Sequence, residues 1–143
     1  MSRPDRTDKG SMSVFVVLFS VAVFLLAGLL VDGGAAINSR LKAADIAEQG
    51  ARGAADQIDV DNLRATGQVR LLADTDVCGR AEEIITAHSL DGVQLTECTV
   101  GGGQTEVTIG VSVHWDAFFL SVIGFPGADM TAIATAIPDE GDA

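Results

Sequence analysis

Gly10-Ser11-Met12-Ser13-Val14-Phe15-Val16-Val17-Leu18-Phe19-Ser20-Val21-Ala22-Val23-Phe24-Leu25-Leu26-Ala27-Gly28-Leu29-Leu30-Val31 contains no formally charged residue. At about 1.5 Å of rise per residue, roughly 20 such residues cross the hydrocarbon core of a bilayer. A helix buried in a soluble domain keeps a polar face, and this run has none. It is also longer than the apolar region of a secretory signal, about 7–15 residues. The run therefore predicts a retained transmembrane helix over residues 11–31, and everything else in the chain is read relative to it.

The flanks give an orientation. Arg3, Arg6 and Lys9 lie in the nine residues before the run, whereas Arg40 and Lys42 lie further away on the other side. Counting Lys and Arg near the membrane favours a cytoplasmic N-terminus and an extracytoplasmic C-terminal part. After residue 31 there are six Lys and Arg against eighteen Asp and Glu, a net charge of −12. Such a domain repels nucleic-acid phosphates, so no nucleic-acid partner is expected; membrane lipid is. The two cysteines, Cys78 and Cys98, both fall in the exported part, where an even count fits one disulfide. Neither a CxxC nor an HxxxH motif is present, and no metal or cofactor is expected.

Past the membrane the sequence reads as α+β. Residues 32–58 are Ala-rich and free of Pro, and Ile37, Leu41, Ala44 and Ala47 or Glu48 recur at helical spacing. They predict a helical extension, with Glu48 and Arg52 as an attractive i,i+4 pair and Gly33-Gly34 weakening the junction. Residues 68–72 read as a short strand. Residues 78–90 read as a helix, with Ala81, Ile84, Ile85 and His88 on one face and Glu82 and Glu83 outward. Asp91-Gly92 marks a turn. Residues 93–100 alternate as a strand, and Gly101-Gly102-Gly103 forms a hairpin loop. Residues 106–115 give the clearest strand, with Val107, Ile109, Val111, Val113 and Trp115 on one face. Residues 118–126 break the alternation as a short helix or turn that packs on the sheet or touches the membrane, and 130–137 alternate again until Pro138. The expected organisation is a leader over 1–10, a transmembrane helix over 11–31, a helical extension over 32–58, and an α+β domain over 59–143. That domain is expected to hold three or four antiparallel strands and one packed helix.

Catalytic patterns are missing. The chain has no GxSxG, HExxH or phosphate-binding loop, and His114 reads as an edge or surface histidine with no nucleophile beside it. Two residues at the membrane boundary stand out as helix-packing positions. Gly28 permits close approach of a neighbouring backbone, and Asp32, at the end of the apolar run, reads either as a plain boundary marker or as a group that pairs with a partner's helix terminus or basic group.

Three segments carry a family resemblance. A short basic leader ends in Lys9-Gly10-Ser11 and meets the apolar helix directly. Leu26-Ala27-Gly28-Leu29-Leu30-Val31-Asp32-Gly33-Gly34 runs into the Ala-rich helix. The tail places Phe119-Leu120-Ser121-Val122-Ile123-Gly124 before Met130-Thr131-Ala132-Ile133-Ala134-Thr135-Ala136. The chain resembles the TadE/TadG-like proteins of the bacterial tight-adherence (Flp-type) pilus assembly system. The resemblance implies a non-enzymatic minor pilin or pseudopilin, or a membrane-anchored assembly component of such a pilus or a related secretion machine. Its partners would be other pilin-like or Tad membrane proteins, met through the N-terminal helix, and its location the cell surface or the pilus. Members processed as prepilins are cut after a Gly and carry Glu five residues on. Cleavage between Gly10 and Ser11 would put Phe15 at that place. The alternative function is a signal-anchored extracytoplasmic binding or scaffold module unrelated to pili. An envelope enzyme is a third class, and it would depend on His114.

Overall fold

A computed structural model describes residues 9–88 and 92–139. The leader before Lys9, with Arg3 and Arg6, and the turn residue Asp91 lie outside the described residues, as does Leu90 at the predicted end of the second helix.

Helix α1, Lys9–Ala55, is one unbroken element of 47 residues. At 1.5 Å per residue it is about 70 Å long, roughly twice a bilayer core. It passes through Gly33 and Gly34 without interruption, and a Cβ at either would meet open space. Its two halves differ in what covers them. From Met12 to Val31 the large apolar side chains are exposed along the helix. From Ala43 onward one face is buried, made of Ala43, Ile46, Ala47, Ala51 and Ala54 at i, i+3, i+4 spacing.

The sheet has three antiparallel strands in the order β1-β2-β3: β1 Val93–Gly101, β2 Glu106–Asp116 and β3 Gly127–Ala136. The central strand supplies the core. Val107, Ile109, Val111, Val113 and Trp115 all point at the helices and are buried. The predicted face of β2 is thus the observed one. The register of β1 on β2 slips at Thr96, between Leu95 and Glu97, where a bulge passes over Gly110. The outer face of the sheet is polar apart from the exposed Ile133, and Thr108 and Thr135 bond across β2 and β3 at 2.8 Å.

Helix α3, Asp74–Ala87, lies beside the lower part of α1 on the inner face, burying Val77, Ala81 and Ile85. It starts earlier than the sequence predicts, because Asp74 and Asp76 suit a first helical turn. Cys78 in its second turn is joined by a disulfide to Cys98 of β1, across 5.9 Å between Cα atoms. Glu48 pairs with Arg52 along α1, and Arg80 with Glu83 along α3, both on exposed faces.

One expectation fails. Residues 68–72 do not form a strand; Leu71 makes only an isolated bridge with Ile58. The preceding segment instead folds as a short helix, α2 Val60–Thr66, capped by the Asp59 side chain on the Asn62 N–H and closed by left-handed Gly67. Of the stripe through Ile37, Leu41, Ala44 and Ala47 or Glu48, the structure buries only Ala47. Ile37 and Leu41 are exposed, and the sheet sits on the Ala face instead. Small residues let a sheet approach the helix axis closely: a Cβ on Gly50 would already touch Ile109 and Ile85 at 3.5 Å.

Candidate functional site: a clasp at the end of the apolar helix

Between β2 and β3 the chain turns through residues 117–126. The turn is closed at its base by the Ala117 N–H donating to the Pro126 carbonyl at 2.9 Å. Its centre is a single 3-10 turn, Leu120–Ile123, ended by Gly124 in the left-handed conformation. Phe125 folds back so that its ring lies 6.1 Å from that of Trp115.

This loop is held against α1 by Asp32. One carboxylate oxygen accepts the Phe118 N–H at 3.0 Å, and the other accepts those of Phe119 and Leu120 at 2.9 and 2.6 Å. Asp32 is 1 % exposed. A buried carboxylate is tolerated only when its lone pairs are used, and the N-terminal amides of a helical turn are unpaired donors by construction. Each group answers the other's need. One helical turn earlier, Gly28 receives the side chain of Phe119: a Cβ on Gly28 would stand 2.9 Å from the Phe119 Cβ. Phe119 also packs edge-on to Phe118, with centroids 5.1 Å apart.

The sequence offers Gly28 and Asp32 as helix-packing positions, Asp32 either as a boundary marker or as a contact with a partner. In the structure both are engaged within the chain, by residues 86 or more positions away. Asp32 meets backbone amides rather than a partner's basic group. The Gly10–Ser11 bond lies near the start of α1, far from this clasp and from the disulfide. Sequence reasoning missed Phe118, Phe119 and Leu120 as site residues; the only signal was a dense apolar run with no strand periodicity.

His114, on the outer face of β2, sits between two carboxylates: Nδ1 is 2.7 Å from Asp129 and Nε2 is 3.4 Å from Asp116. The hydrogen bond to Asp129 is the main cause of a pKa raised above the ordinary 6.5. The imidazolium stabilises the fold fully below the unfolded value and loses that effect as pH rises through the folded one. We expect the His114 ring protons to titrate with a midpoint above 6.5 by NMR, and Asp129→Asn to move the midpoint down. A midpoint at or below 6.5 in the unmodified protein would contradict the pairing. Both ring nitrogens face carboxylates, and no cluster of three or more metal-ligating side chains exists among the described residues.

The geometry defines a class: a single long helix, apolar over its first half, carrying a small α+β domain on its second half and clasped to it at the boundary. Residues 10–57 match the family model described as "Putative Flp pilus-assembly TadE/G-like". That segment, about a third of the chain, is the apolar helix with its continuation, and it is there that the chain is similar to this family. Comparison with curated proteins and with solved structures gives no match. Among the described residues, one helix is long and apolar enough to cross a membrane, which suggests a single-pass anchor.

Proposed function

We propose that the chain is a minor-pilin-like or membrane-anchored component of a Tad/Flp-type pilus machine, acting by packing rather than by catalysis. The observation that carries this reading is the TadE/G-like match over residues 10–57, which coincides with a helix whose apolar surface is left uncovered. That surface does not end at the membrane boundary. Ile37 and Leu41 extend it above Asp32, where water would otherwise meet them. A neighbouring pilin-type helix aligned with α1 would cover both the lipid-facing stretch and this extension.

In this reading residues 1–10 are cytoplasmic, 11–31 span the membrane, and the acidic domain faces the cell exterior. Phe15 stands where processed prepilins carry Glu, so no buried carboxylate is available for a neighbour's freed amino terminus. This favours a chain that keeps its leader and stays in the membrane. The test is a photo-crosslinking residue at Leu41 in the native cell, combined with deletion of the gene. We expect an adduct with another membrane component of the pilus machine, and loss of surface pili on deletion. Normal pili in the deletion strain would overturn the reading.

A further inference from the structure

The loop between β2 and β3 has three properties that belong together only at a lipid surface. Its large exposed side chains are apolar: Val122 is 85 % exposed, Phe118 75 % and Ile123 69 %. Residues 117–128 contain no charge, and Asp116 and Asp129 bracket them. Solvent-facing turns are ordinarily polar, and a patch of this kind on a soluble surface marks an interaction site.

Its backbone is also largely self-sufficient. The N–H groups of 118–120 end on Asp32, and those of Ala117, Val122, Gly124 and Phe125 end on carbonyls of the same loop. The Ser121 hydroxyl donates to the Phe118 carbonyl at 2.7 Å, and Pro126 has no N–H to satisfy. Backbone that enters hydrocarbon must have its polar groups paired internally, whereas a turn in water has no such need.

Depth is the third property. Phe119 lies against Gly28, four residues before Asp32 and inside the uncharged run. Four residues of helix are about 6 Å. Any bilayer that covers α1 up to Val31 therefore reaches the level of Phe119.

We propose that residues 118–125 insert into the leaflet on the ectodomain side as a second, monotopic lipid contact. Phe118, Val122 and Ile123 sit among the acyl chains, and Asp32 is the bracket that fixes the loop at that depth. Two points of attachment hold the domain at one angle to the membrane, where a single helix would leave it free to swing. Contact with lipid is favoured over contact with protein because the surface continues directly from the lipid-facing helix. This inference rests on the membrane anchor alone and does not depend on the pilus reading.

The test uses the full chain reconstituted in phosphatidylcholine vesicles, with the native disulfide intact. Single cysteines introduced as Val122→Cys, Ile123→Cys and Thr131→Cys carry a nitroxide label. Accessibility is read with oxygen, which concentrates in lipid, and with a water-soluble nickel complex. Thr131, on the exposed outer face of β3, is the aqueous reference. Labels at 122 and 123 are expected to favour oxygen, reversing the preference at 131. Preference for nickel at 122 and 123 overturns the proposal. Shielding from both reagents overturns it as well, in favour of a neighbouring protein subunit. Val122 and Ile123 are both exposed, so neither substitution removes a core contact, and agreement between the two positions guards against a local distortion.

Discussion

Asp32→Ala is expected to lower the stability of the folded domain by about 3–5 kcal/mol, because three N–H groups lose their acceptor at once and each unsatisfied buried donor costs about 1–3 kcal/mol. The sum falls short of three full penalties because water reaches part of the opened site. Asp32→Asn keeps one acceptor oxygen and is expected to lose about half as much. The measurement is denaturant unfolding in detergent micelles, followed by the near-ultraviolet signal of Trp115, the single tryptophan, which lies at the base of the loop. Equal stability of the Ala variant and the unmodified protein would mean that the clasp contributes nothing.

Removing the disulfide is the second large effect. Cys78 and Cys98 are 20 positions apart and tie α3 to edge strand β1. A closed loop of that size restricts the unfolded chain by about 3 kcal/mol in the chain-entropy account. For a domain of this size that corresponds to a fall in Tm of roughly 15 °C. Reductant and the double Cys→Ser variant are expected to give the same shift in a thermal melt. An unchanged Tm in both would show that the sheet and α1 hold α3 without the crosslink.

The parts of this fold that show in the sequence are those governed by local periodicity. The alternation of Val107, Ile109, Val111 and Val113 names its own buried face, since a central strand with one covered side must alternate. The apolar helix needs only its length and lack of charge. The helical extension is harder. Hydrophobicity favours the face through Ile37 and Leu41, but the sheet selects Ala43, Ala47 and Ala51 because small side chains permit the shorter approach. Hydropathy does not register that steric criterion. For α2, Asp59 and Gly67 were cap signals at both ends of a weak segment, and they outweighed the β-favouring residues that follow.

The clasp is beyond sequence reasoning for a different reason. Asp32 looks like a boundary residue because its acceptors' partners, the amides of 118–120, are brought to it only when β2 delivers the loop back to the membrane end of α1. Side-chain-to-backbone bonds across such a separation leave no pattern in composition or spacing. What is legible is the pair of facts the clasp reconciles: a carboxylate at the edge of an apolar helix, and an apolar turn between two strands.

The most direct measurement is hydrogen exchange of the Phe118, Phe119 and Leu120 amides, by NMR of the full chain in lipid nanodiscs. If Asp32 joins the domain to the membrane helix, these three are protected by about 100-fold or more relative to an open turn, and Asp32→Ala abolishes the protection. Exchange of all three at open-turn rates in the unmodified protein would contradict the clasp, and with it the fixed placement of the domain on the membrane.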